Sequence, residues 1–131
     1  MAAILIIDDE PEVCRALTGV LTRAGFRVTV ASAAEGIAAF EREPPDIVIT
    51  DIIMPKIHGL DIIKTIRTRS TTVRIIAISG GGNFGPLGLE PGAITTQAYL
   101  AAAVMAGADE VLSKPFEKHD LLAAVRRVLG R

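Results

Sequence analysis

Short runs of four or five residues rich in Ile and Val recur along this chain and alternate with segments of helical period. The runs are Ile4 to Ile7, Arg27 to Ala31, Ile47 to Thr50, Arg74 to Ile78 and Val111 to Lys114. Near-continuous apolar strands are those buried on both faces, so the alternation predicts a parallel sheet with helices packed on both sides. The first intervening helix has Pro11 near its first turn, carries Val13, Leu17, Val20 and Leu21 on one face, and stops at Gly25. Ser32, with Glu35 three residues on, reads as the cap of a second helix that runs to about Glu43 and ends before Pro44-Pro45. A third spans Leu60 to about Arg69, and Thr95 or Thr96 caps an Ala-rich fourth that Gly107 ends near Ala106. The last, about Glu117 to Leu129, turns Leu121, Leu122, Val125, Val128 and Leu129 inward. Six of the twelve glycines, with Pro86 and Pro91, fall between Gly80 and Gly92, which predicts a long loop there.

At 131 residues the expectation is a single domain over 1–131 with no second module. A net charge of -1 provides no global field for nucleic acid or an anionic membrane. Apolar runs far shorter than the ~20 residues of a spanning helix argue against a membrane protein. The start lacks the basic and long apolar regions of a secretory leader, and Cys14 is the one cysteine, so a cytoplasmic location is expected. Four Phe, one Tyr and no Trp make an aromatic cofactor pocket or base-stacking surface a poor fit.

The runs end in polar groups: Asp8 and Asp9 after the first, Asp51 after the third, Ser79 after the fourth, Lys114 at the fifth. Ligands of open α/β sheets bind at that edge. A polar residue at one strand end is usually a cap, but three carboxylates and one ammonium at a common edge leave an excess of negative charge that a hard cation would relieve. Oxygen ligands without His or Cys favour Mg2+, which commonly recruits phosphate. A carboxylate can attack phosphorus if the developing charge is neutralised, and Asp51, on the central run, is the candidate nucleophile. Lys114 and the Ser79 hydroxyl would then hold phosphoryl oxygens.

These residues resemble the receiver domain of response regulators. The matching segments are Ile-Ile-Asp8-Asp9-Glu10, Asp51-Ile-Ile-Met54-Pro55 followed by Gly59, Ile78-Ser79, and Gly107-Ala108-Asp109 leading to Lys114-Pro115-Phe116. The resemblance implies a flavodoxin-like, doubly wound sheet of five parallel strands in the order 2-1-3-4-5. It makes Asp51 the phosphoacceptor, with Asp9 a direct Mg2+ ligand, Asp8 acting through a metal-bound water, and the Ile53 backbone carbonyl completing the protein ligands. Ser79 and Lys114 hold the phosphoryl group, and Lys114-Pro115 would be cis. The implied partners are a histidine kinase or histidine phosphotransfer protein and a downstream protein. By the same resemblance Cys14 and Arg15 would lie on the donor-docking side, Tyr99 and Lys118 on the output side.

Two departures concern mechanism. Val111 stands at the position of the switch aromatic, and the loop after Ser79 is longer than is usual, so residues 80 to 96 are expected to reorganise on activation. Ile53 and Gly81, two beyond the acceptor and two beyond Ser79, offer nothing to orient water, which predicts slow self-dephosphorylation. Gly80 to Gly85 fits G-x-G-x-x-G, but Pro86, Gly88, Pro91 and Gly92 deny it the helix a dinucleotide needs. His58 and His119 read as surface residues, and Cys14 as a small packing residue. Two alternatives stand beside the receiver: a receiver-like interaction module that is never phosphorylated, and a small Mg2+-dependent phosphatase of the haloacid dehalogenase type. The latter would place an Asp-x-Asp pair after the first strand, where this chain has adjacent acids.

Overall fold

The computed structural model describes residues 1–52, 59–79, 93–114 and 116–130, without the side chains of 93–97 and 99. In chain order the elements are β1 (Ala3–Ile7), α1 (Pro11–Arg23), β2 (Arg27–Ala31), α2 (Gly36–Arg42), β3 (Ile47–Asp51), α3 (Gly59–Arg69), β4 (Arg74–Ser79), α4 (Ala93–Ala106), β5 (Glu110–Ser113) and α5 (Lys118–Leu129). All strand pairs are parallel and their order is β2-β1-β3-β4-β5. The doubly wound sheet expected from the sequence is therefore present.

Alternation along each strand sends side chains to two cores. Leu5, Ile7, Val48, Ile75 and Ala77 pack with Phe40 of α2, Ile62, Ile63 and Ile66 of α3 and Ala103 of α4. Ile4, Ile6, Ile47, Ile49, Ile76 and Ile78 pack with Cys14, Leu17 and Leu21 of α1 and Leu121, Val125 and Val128 of α5. The central strands are apolar throughout because both of their faces are covered. Strand β2, at an edge, is mostly exposed and shows the weaker run.

Several boundaries differ from the sequence reading. Helix α2 starts at Gly36: the Ser32 hydroxyl does accept from the Glu35 N–H (3.3 Å), but residues 32–36 close turns, with Glu35 N–H donating to Ser32 O and Gly36 N–H to Ala33 O. Helix α4 begins at Ala93 rather than at a threonine cap, since nothing in Ala93 or Ile94 opposes helix. Strand β5 ends at Ser113, one residue before Lys114. Helix α5 starts at Lys118 with Glu117 as its cap, closed by a reciprocal bond in which Glu117 N–H donates to Asp120 Oδ2 (3.0 Å). Residues 80–92, and with them Gly81 and most of the expected loop, lie outside the described residues, as do Ile53, Met54, Pro55, His58, Pro115 and the Tyr99 side chain.

Candidate functional site

Strands β1, β3 and β4 all run in one direction and end at one edge, where Asp8, Asp51 and Ser79 are 5%, 6% and 1% exposed. The register sets Asp51 opposite Ile78 and Ser79 opposite Ser113, so the ends are level. Lys114 follows β5, and its N–H donates to the Ser79 carbonyl at 2.8 Å, carrying the sheet ladder one residue further. That bond brings the Lys114 ammonium into the edge, where Nζ donates to Asp51 Oδ2 at 3.4 Å.

The acidic side is built by a tight turn. Asp8 Oδ1 accepts from the Glu10 N–H at 2.9 Å, a bond of the kind short acidic side chains make to a backbone amide two residues on. It folds residue 10 back, so that one carboxylate oxygen from each of Asp8, Glu10 and Asp51 can lie within 4.8 Å of the others. Asp9 lies apart from this group, with Oδ1 accepting from the Ala33 N–H at 2.8 Å at the start of the segment leading to α2. Sequence reasoning paired Asp9 with Asp8 and missed Glu10; the signal was the i to i+2 turn chemistry of Asp8.

Burial, and next to it the Asp51 charge, pushes the Asp8 carboxyl up to about 6, while the Glu10 amide and Lys114 oppose the shift. Crowded oxygen donors that resist ionisation are what a hard divalent cation relieves, so these residues fit Mg2+. On the phosphoryl side, Ser79 Oγ is buried without a hydrogen-bond partner among the described residues. A buried hydroxyl left unpaired is costly, and an incoming acceptor oxygen at this edge would satisfy it. Cys14 is buried beneath the site, its thiol 3.5 Å from the Asp8 carbonyl, and burial followed by the Asp8 and Asp9 charges pushes it up. It is a packing residue, held neutral. Val111 is partly buried against the α2, α3 and α4 core. His119 is exposed beside Glu117 and Asp120.

Gly59, at the start of α3, closes the site from below. A Cβ there would fall 2.1 Å from the Asp51 carbonyl oxygen and 2.6 Å from Ile52 Cα. Its N–H donates to Ile52 O at 2.8 Å, so α3 is seated directly on the backbone of the acceptor.

Comparison with known proteins agrees with this geometry. Residues 4–85 match the family described as the response regulator receiver domain. The transcriptional regulatory protein KdpE of Mycobacterium tuberculosis is 34% identical over the whole chain, which covers 52% of that protein. CpxR of Klebsiella pneumoniae is 33% identical over the whole chain, covering 50% of its length. Among solved structures, a receiver domain protein from Clostridium thermocellum superposes with a TM-score of 0.83 at 30% identity, covering 100% of this chain and 96% of that one. Chemotaxis protein CheY4 of Vibrio cholerae gives 0.80 at 25% identity, covering 98% of each.

The chain belongs to the receiver domain family of response regulators, the signalling modules of two-component systems. It spans about half the length of the curated relatives it matches.

Proposed function

We propose that the chain accepts a phosphoryl group on Asp51 from a histidine kinase or histidine phosphotransfer protein in the cytoplasm, and signals by contact with a downstream protein. The observation that carries this reading is the placing of a buried Asp51 between the Lys114 ammonium at 3.4 Å and the carboxylates of Asp8 and Glu10. An Asp51 oxygen attacks phosphorus, and the bond from phosphorus to the donor breaks with its electron pair leaving on the donor. Lys114 passes from Asp51 to a phosphoryl oxygen, and Ser79 Oγ donates to another. Mg2+, when bound, neutralises charge on the acceptor and the phosphoryl oxygens.

Asp8 and Asp51 would hold the metal with the Ile53 carbonyl, and Asp9 would compete with Glu10 for the remaining place. Both are exposed; Asp9 needs to give up one bond to Ala33, whereas Glu10, already beside Asp8 and Asp51, is longer and has more side-chain freedom to lose. The family resemblance favours Asp9, and it is the ligand proposed here. The Lys114-Pro115 bond is assigned as cis, and Val111 as a position that carries no aromatic switch. With an apolar residue at 53 and a glycine at 81 offering nothing to orient water, loss of the phosphoryl group should be slow; a half-life of seconds would contradict this.

Incubation with acetyl phosphate, read by intact mass, tests the reading. One Mg2+-dependent phosphoryl adduct on the wild type, absent from Asp51→Asn, is expected. Folded wild-type protein that binds Mg2+ and takes no adduct would instead identify an interaction module outside phosphorylation control.

A further inference from the structure

The buried polar or charged side chains among the described residues are Asp8, Thr50, Asp51 and Ser79. Thr50 is the one that the site as described leaves without a role. It is 0% exposed, its register neighbours are Ile7 and Ala77, and alternation along β3 places it on the sheet face of Val48, opposite that of the Asp51 side chain. Valine has the same shape and avoids the cost of burying a hydroxyl, so this position calls for an explanation.

Thr50 Oγ1 donates to the backbone carbonyl of Asp51 at 3.0 Å. Gly59 lies against the same carbonyl, close enough that only a residue without Cβ fits. On the far side of that peptide, the Ile52 N–H donates to Ile78 O at 3.0 Å. The Asp51–Ile52 peptide is thus held at its oxygen by a side chain and at its nitrogen by the sheet. Fixing this plane fixes ψ of Asp51, the backbone angle beside the Cα that carries the acceptor carboxylate.

We propose that Thr50 is a positioning residue for phosphoryl transfer, its hydroxyl clamping the acceptor's own carbonyl from the opposite face of the sheet. The assignment rests on Asp51 being the acceptor. The reaction it serves is attack of an Asp51 carboxylate oxygen on phosphorus; the bond that breaks is the phosphorus–nitrogen bond of a phosphohistidine donor, or the phosphorus–oxygen bond of acetyl phosphate, with the electron pair leaving on the imidazole or the acetate. In-line attack tolerates little misplacement, so a loosened acceptor lowers the rate at saturation and leaves donor binding unchanged.

The experiment measures phosphorylation rate against acetyl phosphate concentration at saturating Mg2+ for wild type, Thr50→Val and Thr50→Ser. Thr50→Val is expected to lower the maximal rate by about ten-fold with the half-saturating concentration unchanged, and Thr50→Ser to stay within about two-fold of wild type. The pair Thr50→Ala and Thr50→Ser repeats the comparison with the methyl group absent from both, should the valine variant not fold. Equal maximal rates with and without the hydroxyl, or a serine variant as slow as the hydroxyl-free ones, would overturn the assignment. A wild type that takes no phosphoryl group removes the acceptor reading and this assignment with it; a wild type that labels no faster than Thr50→Val removes the assignment alone.

Discussion

Burial puts Asp8 under electrostatic strain. Its carboxyl has a pKa of about 6 in the fold against about 3.8 in the unfolded chain, so the folded state holds the proton more tightly. The resulting stabilisation is complete below about pH 4 and is lost as pH rises through 6, costing the metal-free protein up to about 3 kcal/mol by neutral pH. Chemical denaturation of metal-free protein should show Asp8→Asn more stable than wild type at pH 7 and the difference vanishing near pH 4. Added Mg2+ should reverse the order at pH 7, because the neutral amide loses the metal. At the neighbouring positions, Mg2+ titration should show a greater loss of affinity for Asp9→Asn than for Glu10→Gln; the reverse would assign the third carboxylate to Glu10. Lys114→Met should slow phosphorylation by acetyl phosphate by about a hundred-fold while leaving the protein folded, since it removes a charge-stabilising group from the transition state.

Two contacts between elements involve backbone directly. Gly59→Ala would push α3 off the Asp51–Ile52 backbone, and a thermal melt should register a loss of about 3 kcal/mol together with weakened Mg2+ binding. At the other end of the molecule, Arg67 on α3 donates to Gly107 O (3.0 Å), Val73 O (2.6 Å) and Asp109 Oδ2 (2.7 Å), and Asp109 Oδ2 also accepts from the Ile75 N–H (2.8 Å). Gly107, at φ +126°, leaves room that a Cβ would take from the Arg67 chain, 2.5 Å from Cγ. Arg67→Met takes this donor from the Gly107 and Val73 carbonyls and leaves Asp109 with the Ile75 N–H, and it should cost about 2–3 kcal/mol with phosphorylation rate unchanged, which a denaturation curve beside a labelling assay would show. The Gly107-Ala108-Asp109 segment was legible as a motif in the sequence, but its partner was not. Arg67 lies in the last turn of α3 with Arg69, where a basic side chain is ordinarily solvated, and only tertiary structure brings it 40 residues forward to Gly107.

The fold was legible because the central strands must be apolar on both faces, a pattern that composition and spacing express directly. Helix starts were less so: Ser32 and the threonines at 95 and 96 are good caps in isolation, yet a turn and a longer helix won at those places. Within the site, Asp8, Asp51, Ser79 and Lys114 could be chosen from their positions at strand ends, since topology alone carries those ends to one edge. Glu10 and Thr50 could not. One depends on a turn that folds the chain back, the other on a bond to the backbone of its neighbour, and neither leaves a periodic trace. The proposed chemistry turns Asp51, at this edge, into an acyl phosphate. Borohydride reduction after incubation with acetyl phosphate converts such a residue to homoserine, and peptide mass mapping then reads its position. Homoserine at position 51, formed only with Mg2+, is the predicted result; homoserine at Asp8 or Asp9, or none in folded, Mg2+-bound protein, would contradict it.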